Sequence, residues 1–134
     1  MACRLNALLI LVVIGMVLVS TGVVADDDPP VEVAYFALKP SLVSNLTGGP
    51  KYIRCDVQLM TEQASALPQL ALHTPAVRHT LLMLLAGQDG KALKTAGGKE
   101  TLRGAALKAV QEQLEALTGE PIVADLFFTA YYVK

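Results

Sequence analysis

The sequence predicts an α+β domain in which helices cover one face of a small, mostly antiparallel sheet. Three observations predict it. Lys51–Met60 alternates strictly, with Ile53, Cys55, Val57 and Leu59 on one side and Tyr52, Arg54, Asp56 and Gln58 on the other, as a strand between core and water does. Ile122–Val133 is dense in β-formers and carries four of the chain's aromatic side chains. Between these two stretches, leucines recur at helical spacing. Strands first, helices in the middle and a strand last is the α+β order.

The elements follow in sequence. Val31–Leu38 reads as a strand ended by Lys39-Pro40, and Leu42–Leu46 as a further short extended piece. Thr47-Gly-Gly-Pro50 is a turn, since glycine accepts positive φ and proline cannot extend a ladder. After the alternating strand, Glu62–Leu72 is weakly helical despite Pro68. Thr74-Pro75 offers a cap and a first helical residue, and Val77, Leu81, Leu84 and Leu85 give the next helix its apolar stripe up to Gly87. The longest helix starts at Gly97-Gly98. Leu102, Ala106, Ala109 or Val110, Gln113 or Leu114, and Leu117 form its buried stripe, and Gly119 and Pro121 end it. In the last strand, Ile122, Ala124, Leu126, Phe128, Ala130 and Tyr132 share one nearly apolar face, which the alternation assigns to the core. Leu102 and Phe128 are therefore expected to be core residues that tolerate no charge.

Composition bounds the function. The chain has 134 residues, enough for one domain, and is 53% hydrophobic, with a mean hydropathy of +0.46. Residues 1–25 account for the excess. Arg4 precedes an uncharged run from Ala7 to Ala25, and Asp26-Asp27-Asp28-Pro29-Pro30 follows it as a linker. Such a run is a signal peptide or a single transmembrane anchor, and either one places residues 31–134 outside the cytoplasm. Cys3 and Cys55 lie on opposite sides of this boundary, so the domain is no disulfide scaffold, and Cys55 reads as a small buried hydrophobe. The net charge is −1, which gives no support to nucleic-acid binding.

Chemistry-bearing patterns are weak. Gly97-Gly98-Lys99-Glu100-Thr101 lacks the leading glycine and the Ser/Thr after lysine that a phosphate loop needs, so it reads as a helix start. His73 and His79, six apart around Thr74-Pro75, cannot pair on one helical face to hold a metal. No serine sits in a glycine elbow with an orienting acid. Catalytic, cofactor-binding and metal-binding residues are accordingly all predicted to be none. The basic stretch from Arg78 to Lys108 stands out, and Arg78, His79, Lys94, Lys99 and Arg103 are the candidate contacts for a partner or for a second copy.

The domain resembles the family of the flagellar basal-body-associated protein FliL. The residues that carry the resemblance are Tyr35-x-x-Leu38-x-Pro40, Leu42-Val43-x-Asn45-Leu46, Lys51-Tyr52 with Val57 and Leu59, and Pro75-x-Val77-Arg78. Further along come Lys94-Thr95-x-x-Gly98-Lys99-x-x-Leu102-Arg103 and Asp125-Leu126-Phe127-Phe128-Thr129. His79, Ala130 and Lys134 depart from the family pattern and mark a divergent member. The resemblance implies a non-enzymatic, single-pass inner-membrane protein whose periplasmic domain is similar to the stomatin/SPFH core. It also implies self-association into an oligomer or ring, contact with stator and basal-body proteins, and support of swimming and swarming. The other reading kept open is an SPFH-like periplasmic module that organises membrane or binds a ligand apart from the motor.

Overall fold

The computed structural model describes residues 30–134. The segment 1–25 and the linker up to Pro29 lie outside them. Along the described chain come β1 (Ala34–Asn45), β2 (Tyr52–Thr61), a 3-10 turn (Ala64–Ala66), α1 (Leu67–Leu72), α2 (Thr74–Ala86), α3 (Gly90–Leu93), α4 (Ala96–Thr118) and β3 (Val123–Val133). The strands form one antiparallel sheet in the order β1-β2-β3, and the helices, all inserted between β2 and β3, cover one face of it. The predicted class is the observed one.

The core follows from the two periodicities. Ile53, Cys55, Val57, Leu59 and Thr61 of β2 are buried, and their alternates are not. Against them pack Val77, Leu81 and Leu85 of α2 and Leu102, Ala106, Val110 and Leu114 of α4. Burying each large aliphatic chain contributes about 1.5–3 kcal/mol, which holds the helices on the sheet. The α4 stripe advances by four residues per step, so its next position is Thr118. Leu117, expected on the stripe, is instead 44% exposed.

Both outer strands are irregular where alternation predicted otherwise. The two predicted extended pieces, Val31–Leu38 and Leu42–Leu46, are one strand that begins only at Ala34. Leu38 pairs with Val57 and Leu42 with Cys55, so Lys39-Pro40-Ser41 bulges out and both leucines reach the core. Pro40 has no N–H to give the ladder, which places it at an irregular point on an edge strand.

In β3 the predicted single apolar face is broken twice. Val57 pairs with Phe128 and Asp56 with Ala130, leaving Thr129 as an extra residue. Thr61 pairs with Val123 and Met60 with Asp125, leaving Ala124 as another. Each extra residue flips the side-chain parity. The core-facing set is therefore Val123, Leu126, Phe128, Tyr131 and Val133, while Tyr132 is 52% exposed on the outer face.

Two helix starts also differ from expectation. Thr74 is not a cap: it lies inside α2, and its hydroxyl donates to the Leu70 carbonyl at 2.9 Å, so α1 and α2 abut at His73. The cap of α4 is Thr95, whose Oγ1 accepts from the Gly98 amide at 2.9 Å. Gly119, at φ 86, closes the helix in the left-handed conformation, as expected of a glycine there.

Candidate functional site

The structure places two of the five candidate residues over β1, two over β3 and the fifth, Lys94, at the end of α3. α2 lies over β1, where the Arg78 guanidinium donates to the Pro40 carbonyl and so holds the β1 bulge. His79, next to it, is exposed. α4 lies over β3 and carries Lys99 and Arg103 one turn apart. The Lys99 ammonium sits 4.9 Å from the Tyr131 ring centroid, a cation–π contact, and the Tyr131 hydroxyl donates to the Leu93 carbonyl at 2.8 Å. Lys94 caps α3 and is exposed.

Arg103 is the most connected of the five. It bonds Glu100 through Nε and a second nitrogen, with a shortest contact of 2.6 Å, and reaches Asp125 at 2.5 Å and the Leu126 carbonyl at 3.3 Å. Asp125 in turn accepts from the Leu126 amide at 2.8 Å. The pair thus satisfies both backbone groups of Leu126 on the outer edge of β3. Gln111 does the same for the Val123 carbonyl at 2.8 Å. An edge covered in this way is closed to strand addition over its first half. The guanidinium holds the Glu100 carboxyl below its ordinary value, and Glu100 in turn raises Arg103 above its own.

Sequence reasoning missed the partners of these groups. Asp125 and Tyr131 gained their roles through the β3 bulges, which no alternation announces. Lys51 and Lys134 were legible in principle: antiparallel pairing of the alternating strand with the last one puts them opposite each other. The Lys51 amide donates to the Lys134 carbonyl at 2.7 Å. With Lys94, Tyr52, Gly49 and Pro50 they line a cleft of about 610 Å³.

Cys55 is fully buried, and its thiol is pushed up to about 12, first by burial and then by the charge of Asp56. It packs and does not react. His73 lies at the α1–α2 junction and His79 on the exposed side of α2. Among the described residues no three His, Cys, Asp or Glu side chains converge to hold a metal ion, and no helix is long and apolar enough to cross a membrane.

Among the described residues the domain thus carries charged groups bonded to strand edges, an open cleft at one end of the sheet and a sheet face that no helix covers. A model of the flagellar basal body-associated protein FliL matches residues 35–133, from the second residue of β1 to the last of β3. The chain belongs to the FliL family of flagellar basal-body-associated proteins. No curated protein matches the chain.

Proposed function

We propose that this protein is a non-enzymatic accessory of the flagellar motor, held at the inner membrane by residues 1–25 or released into the periplasm after their cleavage. It associates with the stator and with further copies of itself, and it supports torque during swimming and swarming. The observation that carries this reading is the family match, which spans all three strands and all four helices. Self-association draws support from the outer sheet face. Tyr35, Val43, Phe127 and Tyr132 are all between 38% and 57% exposed there, and exposed apolar groups of this size mark contact surfaces.

Among the five candidate contacts, the geometry separates two roles. Arg78 and Arg103 hold strand edges in place. His79 and Lys94 are exposed without such bonds, and Lys99 is exposed while resting on the Tyr131 ring, so these three are the contacts we propose for a partner.

A fluorescent fusion to the C-terminal side of the full chain tests the placement. Foci should coincide with basal bodies and should dim when the stator genes are deleted. Uniform fluorescence around the cell envelope, indifferent to the stator, would overturn the reading.

A further inference from the structure

The described domain is electrically polarised from end to end. At the end where β1 begins, Ala34 pairs with Thr61 and Thr61 with Val123, and Glu32, Glu62 and Glu120 gather around these strand ends. At the other end, roughly 30 Å away along the ten residues of β2, Asn45 pairs with Tyr52 and Ile53 with Val133. Four lysines converge there. Lys51, Lys94 and Lys134 line the cleft, and the aliphatic stem of Lys91 lies across Gly49, so close that a Cβ at that glycine would meet it at 2.8 Å. All four are exposed, and among the described residues none of them forms an ion pair. Asp89 is one carboxylate beside them, and it accepts from the Lys91 amide at 3.0 Å.

The cleft is a built feature. Its wall is the β1–β2 turn, fixed to the loop before α3 by the Thr47 amide on the Gln88 carbonyl (3.0 Å) and the Gly90 amide on the Thr47 carbonyl (2.8 Å). Gly48 and Gly49 turn at φ 60 and 51, a conformation that favours glycine. The charges also run against helix stability. The first turn of α4 holds Lys99 and no acid, and its last turn holds Glu115 and no base, whereas the helix dipole favours the reverse. With a screening length of about 8 Å at physiological salt, the acidic end does not neutralise the basic one.

We infer that this lysine-lined cleft is a docking site for an acidic peptide segment of a partner protein. Ammonium groups on flexible stems act as separate point charges, which can follow a run of carboxylates spread along a mobile chain without the fixed geometry of an arginine fork. The Tyr52 ring, tilted against Tyr132 at 6.2 Å between centroids, gives such a chain an apolar wall to lie on. Lys51, Lys94 and Lys134 line an open cleft at the end of the sheet opposite the acidic groups. This inference deepens the proposed function by stating the partner's chemistry, yet its test does not involve the motor, so either can fail alone.

The test titrates full-length protein in non-ionic detergent with a fluorescein-labelled peptide of alternating Glu and Ala, read by anisotropy. Saturable, salt-sensitive binding is expected. Lys51→Gln with Lys94→Gln should weaken it roughly tenfold. Lys39→Gln with Lys108→Gln, which remove the same charge elsewhere, should leave it unchanged. Lys51→Arg with Lys94→Arg should retain it, and Lys94→Gln alone serves if the double variant melts early. Absence of saturable binding to the parent, or equal loss from both glutamine pairs, would overturn the inference. So would tighter binding of polygalacturonate than of the peptide, which would assign the cleft to an anionic glycan.

Discussion

Gly98 is the position where one methyl group should cost most. It lies in the first turn of α4, and a Cβ built there would stand 1.8 Å from the Ala92 carbonyl oxygen and 2.6 Å from its carbon. These are backbone atoms of α3, so α3 as a whole must retreat by about 1 Å or more to make room. Overpacking of this kind costs about 1–3 kcal/mol. The same Cβ would crowd Thr95 Oγ1 at 2.9 Å and endanger the cap, about 1 kcal/mol more. Alanine's better helix propensity returns at most about 1 kcal/mol. The net loss for Gly98→Ala is about 2 kcal/mol, or a Tm lower by roughly 10 °C in a domain of this size. Gly104→Ala is the control, because nothing lies within 4 Å of its Cβ. It should raise stability by about 0.5–1 kcal/mol. Thermal unfolding followed by circular dichroism reads both. A Gly98→Ala variant that melts at or above the parent would refute the close approach of α3 and α4, and with it the position of the lysines that α3 carries.

Three further outcomes follow from the core. Leu102→Asp, at 1% exposure, should unfold the domain, while Phe128→Asp, at a half-buried site, should lower its melt without abolishing it; equal effects in urea titrations would show the β3 parity to be wrong. Thr61→Val should cost about 1–3 kcal/mol, because the buried hydroxyl donates to the Ile122 carbonyl at 2.8 Å and accepts from the Gln63 amide at 3.1 Å, and valine leaves both unmet. The Cys55 thiol, with its pKa raised from 9.0 to about 12, should resist an aromatic disulfide reagent at pH 8 in the folded protein and react at once in urea. The sign is that of a neutral form favoured by folding: this thiol contributes its full stability below pH 9.0 and loses it as pH climbs towards 12. Cys55→Ala should therefore flatten that part of an alkaline unfolding curve.

What could be read from the sequence depended on whether a feature was local. β2 was legible residue by residue because its alternation is unbroken from Tyr52 to Thr61. β3 was legible as a strand but not in its facing, since the extra residues Ala124 and Thr129 are properties of its pairing with β2. The same holds for Lys39-Pro40-Ser41, where proline marked a break and the pairing turned it into a bulge inside one strand. Gly98 was recognisable as part of a helix start, whereas its contact with Ala92 exists only once α3 and α4 are folded together. The basic stretch was visible as composition. Its members then separated, Arg78 to β1 and Arg103 to β3, because neighbours in sequence on different helices face different strands. Lys51 and Lys134 show the reverse: eighty-odd residues apart in the chain, they meet through antiparallel pairing.

The most direct measurement is the swimming of cells in which this gene alone is deleted, recorded in media of increasing viscosity with filaments counted by microscopy. The account predicts normal filament number, a loss of speed that grows with load, and recovery when the full chain is restored. Normal swimming at every load, with swarming intact, would contradict it.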